Sequence, residues 1–192
     1  KVVDSAIIAA AVIFQPELRR LLERVGRTNF SKGQIFDSKT NRLTDCISSV
    51  CKAAAIMQEK RIGALIVFER TTQLGEIINT GTVIDAESSV SMINNIFFPK
   101  SPLHDGAMIV RDGRLYAAGC ILPLSQNSNL SKDLGTRHRA SLGMSENSDA
   151  VVVVVSEETG TISVAVNGEL RRGFDTITLH TELTDLLVEK AS

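Results

Sequence analysis

Two short segments of the sequence carry side chains suited to phosphate and metal chemistry. In the first, His104, Asp105 and Gly106 stand immediately before an apolar run. An imidazole nitrogen and a carboxylate oxygen can both bind a divalent metal, and a carboxylate can also orient or deprotonate an attacking hydroxyl group. The glycine would let a ligand approach the backbone closely. The same residues could instead form an ordinary Asp-Gly turn beside a structural histidine.

The second segment leads into a predicted helix and begins at Gly135. The first backbone N–H groups of a helix have no partner within it and favour an anion. Thr136 adds a hydroxyl group, and Arg137 and Arg139 add guanidinium groups that can each bind phosphate through two hydrogen bonds. These arginines and His138 oppose the helix macrodipole at this position. The segment therefore favours an anion site over a solvated basic patch.

A third polar segment, Ser156-Glu157-Glu158, follows five consecutive valines. Domains of the α/β class usually place their sites where buried strands end. One glutamate could complete a metal site begun by His104 and Asp105, or the triplet could be a charged turn. The sequence contains no GxSxG elbow, HExxH motif or Walker phosphate loop, so these three common catalytic arrangements are not indicated.

The composition is typical of one folded domain. The 192 residues suffice for a single well-filled core. The 21 Lys and Arg residues nearly balance the 22 Asp and Glu residues, which argues against a broad surface for duplex DNA. Cys46, Cys51 and Cys120 form no CxxC pair, so a disulfide framework is not expected and a reducing cytosol suits the chain.

Hydrophobic periodicity predicts a single α/β domain with a central mixed sheet flanked by helices. Asp112-Gly113 and Asn167-Gly168 each lie between two apolar runs, which is a strong hairpin signal. The predicted helices are 16–26, 43–63, a short helix capped by Ser88 or Ser89 that runs to Phe97 or Phe98, 137–147 and 178–189. The predicted strands are 64–68, 107–110, 115–122, 151–155, 161–166 and 169–172. The predicted connections are 28–41, a loop through 82–84, and 125–135.

The N-terminal region indicates a membrane anchor. Residues Ala6 to Phe14 are uninterruptedly apolar, although a spanning helix needs roughly 20 residues. Four arginines between Arg19 and Arg27 follow this run, as on the cytoplasmic flank of a transmembrane helix. Because the first residue is Lys, we expect an excised piece of a longer chain, with an anchor and juxtamembrane helix at 1–27 and a catalytic domain at 28–192. The alternative is an ordinary N-terminal helix packed on the domain.

Taken together, the motifs resemble those of the diadenylate cyclase domain. The resemblance includes Asp105-Gly106-Ala107, the run Gly135 to Ala140, the strand Gly63 to Val67 and the triplet at Ser156, in this order. The opening segment Ile13 to Arg20 resembles the membrane-anchored, CdaA-type branch. The resemblance implies that two ATP molecules condense to cyclic di-AMP with release of two pyrophosphates, across a face-to-face homodimer.

The resemblance also implies a role for each matching residue. Asp105 would orient the attacking hydroxyl group and bind the metal, a divalent Mn²⁺, Mg²⁺ or Co²⁺ ion. Further metal ligands would be His104 and Glu158. The triphosphate would be held by Thr136, Arg137, His138 and Arg139, and the last three of these would also act in catalysis. Ser156 would contact phosphate or ribose, and Gly106 and Leu122 would border the adenine. Ala107 and Glu157 would complete the substrate-binding set.

The expected partners follow from the same resemblance. They are ATP, a second copy of the chain, the cell membrane and regulatory proteins. The membrane would be reached through N-terminal helices, with the catalytic domain on its cytoplasmic side. No nucleic acid partner is expected, because the chain lacks the long helical C-terminal region of the DNA-scanning branch. Two other functions remain open. The chain could bind ATP or a cyclic dinucleotide without turnover, although an intact Asp105 argues against this, or it could hydrolyse phosphate esters with a metal.

Overall fold

A computed structural model describes residues 32–127 and 134–188, with side chains described from residue 39 onward. The chain divides into two compact units, Lys1–Ser38 and Lys39–Ser192, and the second contains the sheet. The helices are α1 (Lys32–Lys60), α2 (Gly75–Ile78), α3 (Val90–Ile96), α4 (Thr136–Asn147) and α5 (Thr176–Leu187). The strands are β1 (Ala64–Phe68), β2 (Thr82–Glu87), β3 (Ala107–Arg111), β4 (Arg114–Cys120), β5 (Val151–Val155), β6 (Ile162–Val166) and β7 (Glu169–Phe174).

The strands form one mixed sheet in the order β2-β4-β3-β1-β5-β6-β7. β1 and β3 are parallel neighbours, and the other neighbouring pairs are antiparallel. Ala64 at the start of β1 lies opposite Val155 at the end of β5, and Ala107 at the start of β3 lies opposite Cys120 at the end of β4. The starts of β1 and β3 and the ends of β4 and β5 therefore lie at the same end of the sheet.

Helices cover both faces of the sheet, which explains why β1 and β5 at its centre are apolar throughout. The valines of β5 alternate between two clusters, with Val151, Val153 and Val155 in one and Val152 and Val154 in the other. The first cluster contains the apolar residues of α1, α3 and α5, and the second contains those of α2 and α4. The predicted α/β class, with a mixed sheet between helices, is confirmed.

The two hairpins and the start of α3 agree with their local sequence signals. Asp112 and Gly113 have φ values of 51° and 73°, and Asn167 and Gly168 have 50° and 77°, as a two-residue type I′ hairpin requires. The side chain of Ser89 accepts a hydrogen bond from the backbone N–H of Met92 and so caps α3. Both predicted hairpins are confirmed.

Two predictions of connecting segments were wrong. Within the predicted polar connection 28–41, residues 32–41 belong to α1, because a polar segment can continue a helix once the helix has nucleated. The predicted loop through Thr82-Val83-Ile84 is part of β2, an edge strand whose residues are exposed or half-buried, so no buried apolar run marked it. The predicted helix at 16–26 and residues 128–133 of the predicted loop lie outside the described residues.

Candidate functional site

The three polar segments predicted from the sequence meet at one end of the sheet. Asp105 and Gly106 precede β3, and Ser156 follows β5, so the strand register places both segments beside the start of β1. Thr136 and Arg137 open α4 and line a cavity together with Asp105 and Gly106. Segments about thirty residues apart in the sequence therefore converge on one concave surface.

This large cavity has a volume of about 620 Å³, which lies in the range of sites for small organic ligands. Its polar lining includes Asp105, Thr136, Arg137 and Glu157. The remaining lining is largely apolar and would suit a flat, weakly polar group such as a purine. It consists of Leu65, Gly106, Gly119, Cys120, Ile121, Leu122, Leu124 and Ala140.

Gly106 is required by its backbone conformation and by the neighbouring strand. Its φ is 121°, which L side chains rarely adopt. A Cβ added there would lie 2.7 Å from the carbonyl carbon of Gly119 and 2.8 Å from the carbonyl oxygen of Cys120. The sequence suggested close approach of a ligand, whereas the structure shows close approach of β4. The glycine lets β4 pack tightly at the cavity wall.

Arg137 is paired with Glu157 and lies close to the backbone of Gly63. Its Nη1 lies 2.7 Å from Oε2 of Glu157, and its side chain is more enclosed than that of Glu157, with 24% against 60% exposed. A Cβ added to Gly63 would lie 2.5 Å from the same Nη1 atom. The guanidinium group therefore lies between the backbone before β1 and the carboxylate after β5. An incoming anion would compete with Glu157 for it.

The first turn of α4 is open to an anion on its backbone side. Its N-cap residue, Gly135, has an extended backbone and no side chain to accept the first N–H groups. The residues of this turn line both the large cavity and a small cavity of about 170 Å³. The small cavity is lined by Gly135, Thr136, Arg137, His138, Val155, Ser156, Glu157, Glu158, Thr159 and Arg172.

His138 faces the small cavity from inside the fold. It is 4% exposed, and its Nε2 has no hydrogen-bond partner among the described residues. Burial lowers the pKa of His138, the positive charge of Arg172 lowers it further, and Glu158 partly offsets these effects. The imidazole is therefore neutral near pH 7, and it offers a polar atom to a ligand without adding charge.

Some predicted site residues lie apart from the two cavities. Arg139 is exposed on α4 and lines neither of them. Ala107 is fully buried in the core beside α4, so its contribution is to the strand that positions Asp105. His104 also lines neither cavity, and its Nδ1 lies 2.6 Å from the carbonyl oxygen of Ser101.

The structure does not bring all of the predicted metal ligands to one cavity. Asp105 lines the large cavity and Glu158 lines the small one, and no group of three or more His, Cys, Asp or Glu residues in the described ranges could hold a metal ion. Small divalent cations are commonly bound through one or two carboxylates together with substrate phosphates. The contact of His104 Nδ1 with a carbonyl leaves Nε2 as the nitrogen available to a metal. The donors therefore fit a metal held jointly with a ligand.

Several residues of this surface were missing from the sequence-based set. Gly63 is far from Arg137 in the sequence and lies beside it only in the folded chain. A glycine directly before a buried strand was nevertheless a visible signal in the sequence that this position could matter. Ile121 and Leu124 extend the apolar wall that Leu122 was predicted to form. Arg172 reaches the small cavity from β7, and its sequence environment gave no sign of this.

The fold and the two cavities define an α/β domain that can hold a small anionic ligand at one end of its sheet. The family described as DAC, DisA bacterial checkpoint controller nucleotide-binding, matches residues 51–170. The chain belongs to this diadenylate cyclase family.

Similar proteins are known by sequence and by structure. The chain is 47% identical to the cyclic di-AMP synthase CdaA of Bacillus subtilis over 86% of its own length and 60% of that protein, and 45% identical to a diadenylate cyclase of Listeria monocytogenes over 94% and 66%. It thus spans about three-fifths to two-thirds of these relatives. A crystal structure of a double mutant of DacA from Staphylococcus aureus superimposes with a TM-score of 0.73 at 47% identity, covering 75% of this chain and 96% of that one.

Proposed function

We propose that this chain is a diadenylate cyclase that condenses two ATP molecules into cyclic di-AMP and two pyrophosphates. Family membership and the names of relatives that are 45% and 47% identical support this reaction. The observation that carries the proposal is the common cavity of Asp105 and Arg137. A carboxylate that can activate a hydroxyl group thereby faces the same space as a guanidinium group and helix N–H groups that can hold phosphate.

Different residues of the large cavity bind different parts of the nucleotide. The adenine lies against Leu122 and the neighbouring apolar wall, and the phosphates lie at Thr136 and Arg137. Each 3′-hydroxyl oxygen attacks the α-phosphorus of the other nucleotide, and the bond from that phosphorus to the bridging oxygen breaks. The electron pair leaves with pyrophosphate, and the hydroxyl proton moves to Asp105. The hydroxyl of the nucleotide is itself the nucleophile, so the chain needs none of its own.

Cations stabilise the charge that grows on the leaving pyrophosphate. Arg137 supplies one such charge at the first turn of α4. His104 and Asp105 would hold a divalent metal together with the phosphates, and that ion would add positive charge beside the leaving group. Glu158, on the small cavity, remains a predicted further ligand. We propose Mn²⁺, Mg²⁺ or Co²⁺ as this ion.

The membrane and a second copy of the chain are the proposed partners. A solved structure titled as a hypothetical membrane-spanning protein from Bacillus cereus superimposes with a TM-score of 0.66 at 35% identity, covering 85% of this chain and 79% of that one. None of the described helices is long and apolar enough to cross a membrane. We place the anchor in the N-terminal region and the catalytic domain on the cytoplasmic side. Because one large cavity suits one nucleotide, two copies would face each other during turnover.

The substitution Asp105→Asn tests the reaction. It keeps the shape of the side chain and removes its basicity, so the yield of cyclic di-AMP from ATP should fall by about 10²- to 10⁴-fold. The matched control is Asp112→Asn, which changes the other Asp-Gly pair, at the opposite end of β3. Its partner Lys39 is exposed and 3.2 Å away, so this change should leave activity intact.

The products are identified by mass after incubation with Mg²⁺, Mn²⁺ or Co²⁺. Cyclic di-AMP that disappears with Asp105→Asn and persists with Asp112→Asn is the expected result. Release of ADP or a monophosphate without the dinucleotide would show a hydrolase. Tight ATP binding without any product under all three metals would show a binding module, and either result contradicts the proposal.

A further inference from the structure

The small cavity continues the large one past the first turn of α4. The two share Thr136, Arg137 and Glu157. At about 170 Å³ the small cavity is below the size of a typical organic-ligand site, so it would not hold a second nucleoside. None of the residues that form the apolar wall of the large cavity lines the small one. A nucleotide whose adenosine fills the large cavity would therefore extend its last phosphates into the small one.

Of Arg137 and Arg172, which both line the small cavity, Arg172 is the one that the proposed reaction has not used. It lies on β7 opposite Ser163 of β6 and lines the small cavity. None of the carboxylates in the described part of the chain forms an ion pair with it. A lysine or arginine with no carboxylate partner beside a polar cavity retains its full attraction for an anion.

The neighbouring arginine shows that this arrangement is specific to position 172. Side chains alternate across a strand, and the Nη1 of Arg171 lies 2.6 Å from Oε1 of Glu182 on α5. Arg172, on the other face, shares its side of the sheet with Leu170, which packs on the cluster containing α4. Two adjacent arginines on one strand therefore have different partners, and one of them faces the cavity.

Two further groups at the small cavity suit an anion. His138 is 4% exposed and its Nε2 has no partner among the described residues. The uncapped first turn of α4 contributes backbone N–H groups on the same side. Glu157 and Glu158 also line the cavity, but both are exposed, and Glu157 is paired with Arg137. Their carboxylates can stay hydrated while a phosphate binds beside His138.

We propose that Arg172, with His138 and the first turn of α4, binds the terminal phosphates of the nucleotide and holds them as they leave as pyrophosphate. This inference rests on the proposed function and deepens it by assigning a residue to the leaving group. It makes Arg172 a specificity residue that distinguishes a triphosphate from a monophosphate. Arg137, which borders both cavities, would contact the α-phosphate and the oxygen that bridges it to the leaving pyrophosphate.

The test compares Arg172→Ala with Arg171→Ala in the full chain. The probes are AMP and α,β-methylene ATP, in which the bond that would break is replaced by an uncleavable one, and affinities are measured by calorimetry. Arg172→Ala should weaken binding of the triphosphate analogue about tenfold or more, while AMP affinity changes by less than about twofold. Arg171→Ala should change neither affinity, and Arg172→Lys, which keeps the charge, should recover part of the loss.

Turnover supplies a second readout that a structural role would not move. Inhibition of cyclic di-AMP synthesis by added pyrophosphate should weaken in Arg172→Ala, again by about tenfold, and remain unchanged in Arg171→Ala. Equal effects of the two substitutions, or equal losses of AMP and triphosphate affinity, would overturn the inference. If the unsubstituted chain binds the analogue but makes no cyclic di-AMP, the proposed reaction fails while the binding comparison still decides the role of Arg172.

Discussion

The position of Arg137 depends on a residue that has no side chain. A Cβ on Gly63 would lie 2.5 Å from Nη1 and 2.7 Å from Cζ of Arg137, and 3.0 Å from Oε2 of Glu157. The nearest atoms belong to the end of a long side chain, which can move aside at low cost. Gly63→Ala should therefore displace the guanidinium group and leave the fold nearly as stable as before.

We expect Gly63→Ala to weaken ATP binding by about tenfold, because a displaced guanidinium group loses its charge-assisted hydrogen bonds to phosphate. The free energy of unfolding should change by less than about 1 kcal/mol. Calorimetric titration with α,β-methylene ATP and denaturant unfolding measure the two quantities.

A double-mutant cycle separates this effect from a general disturbance. In an Arg137→Ala background, where the guanidinium group is absent, Gly63→Ala should cause no further loss of affinity. An additional tenfold loss in that background would show that Gly63 acts on the ligand by some other route.

At this scale, the sequence identifies residues whose chemistry is visible locally. Asp105 and Thr136-Arg137 stand in short polar segments beside apolar runs, and the structure places them on one cavity. Arg172 could not be found in this way, because it reaches the small cavity only through the fold. Gly63 was visible as a glycine before a strand, but its position beside Arg137 was not, since the two residues are far apart in the chain. The burial of His138 could not be predicted either. Its neighbours in the sequence are two charged residues, of which Arg137 is half-buried and Arg139 is exposed, so the local sequence indicates a surface position.

At the scale of elements, α4 positions the site because it is packed unusually closely. Its buried positions include Ser141 and Ser145, whose hydroxyl groups donate to the carbonyl oxygens of His138 and Leu142 within the same helix. Small residues satisfied in this way let the helix approach both the sheet and the segment that follows β4. The backbone N–H of Ser125 in that segment donates to the carbonyl oxygen of Arg139 at 3.0 Å.

Gly143 is the closest point of this packing. A Cβ there would lie 2.3 Å from the carbonyl oxygen of Pro123 and 2.6 Å from the backbone nitrogen of Ser125. Alanine favours a helix interior by about 1 kcal/mol over glycine, yet Gly143→Ala should lower the free energy of unfolding by about 1–3 kcal/mol, because backbone atoms must move. Denaturant unfolding measures the difference.

Gly75→Ala is the matched control for this prediction. Gly75 is the first residue of α2, and a Cβ added there meets nothing within 4 Å. It should leave stability unchanged or slightly raised. A Gly143→Ala variant as stable as the Gly75→Ala variant would show that α4 can withdraw from the 123–125 segment without cost.

The elements differ in how clearly their sequences predict them. β5 is evident because a strand covered on both faces must be apolar at every position, and Ser89 marks the start of α3 by its own capping bond. β2 is an edge strand with little burial, and the start of α1 is polar. In such segments the hydrophobic pattern that distinguishes a helix or strand from a connection is absent.

At the scale of the whole molecule, the sheet order determines where the site can form. β1 has a parallel neighbour on one side and an antiparallel neighbour on the other, so loops from three strands reach the same end of the sheet. The large cavity formed there is open at its mouth, where Ile121 and Leu124 are 69% and 47% exposed. Exposed apolar residues at the rim of a polar site are favourable places for contact with another protein surface.

A second copy of the chain covering this mouth would bring two bound nucleotides together, and the proposed reaction requires such a pair. In the proposed arrangement, nucleotide binding would need one chain, whereas product formation would need two. Titration of α,β-methylene ATP should therefore give one site per chain with the same affinity at every protein concentration. The rate of cyclic di-AMP synthesis per chain should rise in proportion to protein concentration until dimers predominate, and then level off.

Light scattering across the same dilution series gives the fraction of dimer at each concentration. The rate per chain should follow that fraction, because a monomer holds one reactant of the two. A rate per chain that stays constant while the measured mass falls from dimer to monomer would show that a single chain completes the reaction. The face-to-face arrangement would then be wrong, and the second nucleotide would have to bind within the same chain.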